Sequence, residues 1–226
     1  MISTRIFAIS TLWAVLLTPL LHAGDLSGYR GFRFDMNLLA VAKQAGVEPS
    51  EAKVIHQRPG VIQELLWHPQ RFPGTSHDAD SVKDVQFSFY NGELFQMVVN
   101  YDRYRTEGLT VEDLVAAISA RYGTATTPDA EIIFPSLFHE TVKVLARWED
   151  SQYSLSLARS SYQPGFGMVV LSKRLDALAQ AAILEAIRLD KQEAPQREID
   201  RNKRQDDEKR VQQERARGAN KPGFRP

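Results

Sequence analysis

The sequence predicts an α+β fold of antiparallel β-meanders, each preceded by a helix, followed by a C-terminal helix and a disordered charged tail. Three observations indicate this class. Two helical stripes each start at a capping residue and end at a glycine. Runs with alternating apolar residues, separated by short turns, follow each stripe. A third helical stripe of aliphatic residues precedes a strongly charged C-terminus.

The first 23 residues are typical of a secretory signal peptide. Arg5 gives a basic start, the run 6–21 is almost wholly apolar, and Ala23 precedes Gly24 at a small-residue cleavage site. The alternative is an uncleaved anchor, but a spanning helix needs about 20 apolar residues, and this run is shorter and contains Pro19. We therefore expect cleavage between Ala23 and Gly24, export to the periplasm or medium, and a mature form that does not span a membrane.

The composition excludes several classes of protein. The chain has no cysteine, which excludes a disulfide-stapled scaffold, cysteine-ligated zinc, a thiol nucleophile and an acylated N-terminal cysteine. Its 28 basic and 28 acidic residues balance, so no nucleic-acid partner is expected. Residues 24–189 are long enough for one domain with two candidate halves, 24–105 and 106–189, followed by a charged tail, 190–226.

The first half begins with a short predicted strand, 31–36. Asn37 then caps a helix that Gly46 ends. Two strands are predicted next, over 53–57 and 61–67, before a long polar loop from His68 to Ser81.

A hairpin with Asn91-Gly92 at its centre follows this loop. A two-residue turn would mix apolar and polar residues on each face. A three-residue loop, 90–92, instead places Phe87 opposite Phe95 and collects Val85, Phe87, Phe89, Phe95, Met97, Val99 and Tyr101 on one side. The sequence therefore favours a type I turn followed by Gly92 in the left-handed region.

The second half repeats the order of the first. Thr110 and Asp113 predict a capping box, and Gly123 ends the helix. Strands are predicted over 142–149, 152–158 and 166–173, and one face of the first would carry Val142, Val144, Ala146 and Trp148. The shared order indicates a degenerate tandem of one α+β unit.

The end of the chain changes in character after a helical stripe that should dock on the sheet. Beyond Leu189 the only large aliphatic residues are Ile199 and Val211, too few for a core or coiled-coil seam. Pro195 should interrupt any continuous helix. The tail is expected to be solvated, either disordered or fraying-helical. The alternative is a tether to an anionic surface or a partner.

No motif indicates catalysis or a metal site. The histidines of the mature chain, His56, His68, His77 and His139, have no ligand spacing. The cluster His77-Asp78 with Asp80 lacks a calcium-loop pattern and predicts a polar turn. We therefore predict no catalytic residue, no metal and no cofactor. Six aromatic residues could line a groove, although strand spacing favours the core: Trp67, Tyr90, Tyr101, Tyr104, Trp148 and Tyr153.

The runs GFRFDMNLLAVAKQAG and NGELFQMVVNYD, within 31–102, resemble small bacterial envelope domains of the BamE/SmpA kind. A tandem of such units is similar to secreted proteins of the β-lactamase-inhibitor type. The resemblance implies a glycine-terminated helix packed on an antiparallel sheet. Members of the BamE group are usually lipoproteins, so the lack of cysteine means that their anchoring and assembly role do not carry over, and no functional residue is transferred.

Two functions remain open from the sequence. The first is an exported, non-catalytic envelope protein that binds a protein or surface partner through an exposed sheet face or edge, assisted by the tail. The alternative is a secreted hydrolase with an unrecognised site in the loops His68–Ser81 and Ser160–Gly165.

Overall fold

A computed structural model describes residues 24–69, 80–134, 140–160 and 165–223, together with Arg225. The predicted α+β class is confirmed: these residues form three α-helices and a mainly antiparallel sheet. The strands are β1 (Gly28–Tyr29), β2 (Phe32–Arg33), β3 (Lys53–His56), β4 (Ile62–Trp67), β5 (Val82–Tyr90), β6 (Glu93–Tyr101), β7 (Glu131–Phe134), β8 (Glu140–Glu149), β9 (Tyr153–Arg159) and β10 (Phe166–Ser172). The helices are α1 (Leu38–Ala45), α2 (Val111–Tyr122) and α3 (Lys173–Asn220).

The main sheet has eight strands whose order is symmetric about its centre. The order is β3-β4-β5-β6-β10-β9-β8-β7, so β6 and β10 join two four-strand meanders. α1 precedes the first meander and α2 the second. Both helices pack on the same face, where Val41 of α1 and Leu114 of α2 belong to one core cluster with Phe87 and Leu155. This topology has the symmetry that a tandem produces, while common descent of the halves stays a prediction.

The predicted caps of α1 and α2 are confirmed. The side chain of Asn37 accepts a hydrogen bond from the amide of Ala40, and Gly46 ends α1 in the left-handed conformation. Thr110 and Asp113 form a reciprocal capping box at the start of α2, which ends at Gly123. A side-chain cap therefore fixes the start of each helix, and a glycine at positive φ fixes its end.

The predicted loop of the central hairpin is wrong. Tyr90 pairs directly with Glu93, so the turn contains only Asn91 and Gly92, at φ values of 50° and 84°. Positive φ at both positions is the type I′ geometry, although the left-handed conformation of Gly92 is as expected.

A bulge in β6 explains how a two-residue turn avoids mixing apolar and polar residues on each face of the hairpin. The register shifts between Ser88 and Phe89, so Phe87 pairs with Met97. Phe95 is thereby moved to the opposite face, where it packs with Ile62. The expectation that Phe95 shares a face with Met97 fails for this reason.

A second irregularity corrects the predicted face of β8. The register shifts between Val144 and Ala146. Ala146 and Trp148 lie in the main core. Val142 instead belongs to a separate small cluster with Val98 of β6 and Ala158 of β9. The four residues predicted on one face are therefore divided between two.

α3 covers part of the sheet face opposite α1 and α2. Its buried residues Leu175 and Ala179 pack against Ile62 and Phe95. Gly60 lies beside this helix, where an added Cβ would be 3.4 Å from Ala182 Cβ and only 2.5 Å from Cε2 of the Tyr90 ring. The helix has 48 residues, about 72 Å at 1.5 Å per residue.

The C-terminal tail is helical rather than disordered, and Pro195 does not interrupt the helix. Pro195 lies where α3 has left the sheet, in a largely exposed stretch. Ion pairs along the exposed surface accompany this stretch, including Arg201 with Glu198 and Arg210 with Asp207. Acid-to-base pairs at this spacing each support an isolated helix by about 0.2–0.5 kcal/mol.

The structure also bears on the first predicted strand, on one edge of the sheet and on the predicted cleavage site. The strand predicted over 31–36 shortens to β2: positive φ at Arg30 and Gly31 turns the chain before it, and the Met36 amide donates to the Arg33 carbonyl in a turn after it. The short apolar piece before Pro135 forms the edge strand β7, which the sequence did not predict as a strand. Ala23 lies outside the described residues. Gly24 packs on the end of α2, where an added Cβ would lie 2.1 Å from the carbonyl oxygen of Arg121.

Candidate functional site

An open cleft of about 240 Å³ lies where the two halves of the chain meet. Its walls come from the loop that follows β6 and from the facing ends of β9 and β10. β6 and β10 pair at this end of the sheet, with Asn100 opposite Gly167. The residues relevant to binding in its lining are Arg103, Tyr104, Glu107, Leu109, Arg159 and Phe166.

The loop after β6 is held by its own hydrogen bonds. The Asp102 carboxylate accepts hydrogen bonds from the amides of Tyr104, at 2.8 Å, and Arg105, at 3.2 Å. The carbonyl oxygen of Asp102 accepts from the amide and hydroxyl of Thr106, which is buried. This is the local bonding that aspartate makes at turns. It fixes the direction in which Arg103 and Tyr104 leave the loop.

Two arginine side chains of the cleft rest on aromatic rings. The guanidinium carbon of Arg103 lies 4.5 Å from the centroid of the Tyr104 ring, and its Nη2 donates to the Tyr104 hydroxyl at 2.9 Å. The guanidinium carbon of Arg159 lies 4.2 Å from the centroid of the Phe166 ring. Stacking holds a planar guanidinium in place while leaving its N–H edge free to bind carboxylates or phosphates.

The rim of the cleft exposes apolar surface beside these charges. Tyr104 is 68% exposed and Leu109 is 41% exposed. Tyrosine and arginine are the residue types enriched at energetically important positions of protein interfaces. The cleft therefore combines oriented donors with exposed aromatic and aliphatic surface.

The β3 edge of the sheet is less suited to binding another strand. β3 exposes Val54 and Ile55, at 48% and 46%, but its pairing shifts between Val54 and His56. Lys53 also lies on this edge. Bulges and lysines on edge strands disfavour the addition of a further strand.

No family model, curated protein or solved structure matches this chain. The resemblance to BamE/SmpA-like domains therefore stays a prediction.

The described histidines do not build a catalytic group. His56, on β3, is half-buried and does not line the cleft. It lies near Asp190 of α3, whose pKa is lowered by a hydrogen bond from Arg197, with smaller contributions from Arg58 and His56. His68 is half-buried just after β4.

The other predicted site regions fall largely outside the described residues. His77, His139 and most of the two loops of the hydrolase alternative, His68–Ser81 and Ser160–Gly165, belong to this group. Within the described part of the chain, no three histidine or acidic side chains lie close enough together to hold a metal ion. No helix in that part is long and apolar enough to cross a bilayer.

Of the six aromatic residues that could line a groove, only Tyr104 lines the cleft. Trp148 is buried in the main core, and Trp67, Tyr101 and Tyr153 pack against it. Tyr90 packs with α3 on the other face. The sequence did not indicate Arg103 or Arg159. The only local signal is the run Arg103-Tyr104-Arg105 directly after a predicted strand.

Proposed function

We propose that this protein is an exported, non-catalytic envelope protein that binds a partner protein through the cleft between its two halves. The observation that carries this proposal is the placement of exposed Tyr104 beside Arg103 and Arg159, whose guanidinium groups stack on aromatic rings. Side chains that are already ordered lose less entropy on binding, so more of their contact energy appears as affinity.

The N-terminal sequence supports export. Arg5, the apolar run 6–21 and the small residues Ala23 and Gly24 follow one another in the order of a secretory signal peptide and its cleavage site. Fractionation of cells that express the full chain, with N-terminal sequencing, tests this part. A mature chain that starts at Gly24 in the periplasm or medium is expected, whereas an intact chain in the cytoplasm would contradict export.

Partner binding is tested by cross-linking and pull-down from the envelope fraction. Tyr104→Ala should remove the captured species that wild-type protein retains, because it deletes the most exposed ring of the cleft. Leu39→Ala is the matched control, since Leu39 is 64% exposed on α1 and does not line the cleft. Equal capture by wild type and both variants would contradict a binding role for this cleft.

The exposed half of α3 is a second element that a partner could contact. Truncation after Leu189 in the same pull-down separates the two contributions. Retained capture by the truncated chain assigns binding to the cleft alone, whereas lost capture shows that the tail assists.

A further inference from the structure

We propose that the cleft binds a carboxylate of an acidic peptide segment, held between the guanidinium groups of Arg103 and Arg159. This inference rests on the proposed binding function and names the chemistry of the partner. The two arginines come from different halves of the chain, one after β6 and one at the end of β9, and line the same cleft.

Both guanidinium groups are oriented and keep donors available. Each has five N–H donors in a fixed plane. Arg103 uses one of them on the Tyr104 hydroxyl, and Arg159 is held by its contact with the Phe166 ring. Among the described residues neither arginine forms an ion pair, in contrast to Arg30, which is paired with Asp80. The remaining donors of the cleft can therefore meet the two oxygens of a carboxylate.

The size of the cleft favours a peptide side chain. Small-molecule pockets usually enclose about 300–1,000 Å³, and this cleft of about 240 Å³ is smaller and open. It can accept one acidic side chain, with the exposed Leu109 beside the methylene groups of its stem.

The charge of the cleft favours a carboxylate over a phosphate. Glu107 lies in the same wall and partly offsets the two arginines. Two arginines and one glutamate leave the lining with a net charge of about +1, which a single carboxylate balances and a phosphate monoester, with about −1.5 to −2 charges at neutral pH, exceeds. We therefore expect an acidic segment of a protein rather than a phosphorylated segment or an anionic lipid surface.

The test is an NMR titration of the mature chain, Gly24–Pro226, with the peptide acetyl-Glu-Leu-Glu-amide. The matched probe is acetyl-Gln-Leu-Gln-amide, which has the same shape without the charges. The acidic peptide should shift the amide signals of Tyr104 and Phe166 and bind at least about tenfold more tightly than the neutral one. Higher salt should weaken this binding.

Variants locate the binding site. Arg103→Gln and Arg159→Gln should each weaken binding of the acidic peptide about tenfold or more. Arg174→Gln should leave it unchanged, because Arg174 is exposed on α3 outside the cleft. Unshifted amide signals in the rest of each variant's spectrum establish that the fold is retained.

The outcomes separate the inference from the proposed function. Equal binding of the two peptides, or tighter binding of inorganic phosphate or phosphatidylglycerol vesicles than of the acidic peptide, would overturn the carboxylate assignment. If Arg103→Gln and Arg159→Gln lose the envelope partner in a pull-down, partner binding by the cleft is supported, even if the acidic peptide does not bind. If they keep the partner, the cleft is not its binding site.

Discussion

The guanidinium carbon of Arg159 lies 4.2 Å from the centroid of the Phe166 ring, which connects the last residue of β9 to the first residue of β10. Arg103 and Tyr104 make a similar contact in the loop after β6. Because β10 pairs with β6, the two contacts are brought to one end of the sheet. The fold thus places two stacked arginines from distant parts of the chain in one cleft.

Arg159→Lys keeps the positive charge but removes the planar group that stacks on Phe166. We expect affinity for the partner or the acidic peptide to fall about threefold or more, since an exposed cation–π contact is worth about 0.5–1 kcal/mol and the bidentate geometry is also lost. Arg174→Lys is the control. Titration of the three proteins measures the effect, and unchanged affinity in Arg159→Lys would show that charge alone is sufficient.

Gly92→Val should destabilise the protein by roughly 1–2 kcal/mol. Gly92 has a φ of 84°, and an added Cβ would meet no atom within 4 Å. The cost therefore comes from the backbone conformation and not from a clash. Gly92→Asn should cost less, because asparagine tolerates the left-handed region. Urea denaturation measures both variants, and equal stabilities would contradict the type I′ turn.

The ion pair between Arg30 and Asp80 should make stability depend on pH. The guanidinium of Arg30 donates to both carboxylate oxygens of Asp80, at 2.7 and 2.8 Å. Burial raises the pKa of Asp80, but hydrogen bonds from Arg30 and the Val82 amide outweigh it and hold the pKa below its ordinary value. A carboxyl group with a lowered folded pKa stabilises the fold above its unfolded pKa, and this contribution is lost as pH falls through the folded value.

Asp80→Asn should lower the free energy of unfolding slightly relative to wild type, because it removes the charge that Arg30 pairs with. The difference in unfolding free energy should be no more than about 1 kcal/mol at neutral pH, because the pair is partly exposed. It should shrink as the pH falls below about 4. Urea denaturation at several pH values measures it, with Asp129→Asn as the control because the Asp129 side chain is fully exposed and its contact with Lys143 is long, at 3.8 Å. A difference that is constant or grows in acid would contradict the assigned pair.

Truncation after Leu189 should remove helical signal without changing the stability of the body. Beyond this point α3 is largely exposed, and it meets the sheet region through the exposed ion pair between Arg58 and Glu193 and through Asp190, which lies near His56. Such pairs contribute little to stability. Circular dichroism should show less helix, while the urea midpoint stays the same. A lower midpoint would show that the outer half of α3 packs on the body.

The sequence predicts elements whose ends are set by local chemistry. Asn37, Gly46, Thr110 and Gly123 act within one turn of chain, and the helix ends follow from them. The bulge that moves Phe95 across the sheet could not be predicted, because a register argument assumes an unbroken strand. Packing against Ile62 and Leu175, which lie far apart in the sequence, accompanies that bulge.

The candidate site could not be predicted from the sequence, in contrast to the helix ends. Arg103 and Arg159 are ordinary surface residues when each is taken with its neighbours. Only the pairing of β6 with β10 brings them together, and a crossover between two meanders leaves no local pattern. α3 shows a different limit, since Pro195 predicts a break but lies inside the continuous helix, and nothing in the structure explains why the helix continues through it.

Site-specific photo-cross-linking in cells is the most direct measurement of whether the cleft is the partner-binding site. A photo-reactive phenylalanine analogue replaces Tyr104 in one protein and Leu39 in another. A discrete adduct from position 104, absent from position 39 and lost when Arg159→Gln is added, is the predicted result. No adduct at position 104, or an adduct that persists with Arg159→Gln, would contradict it.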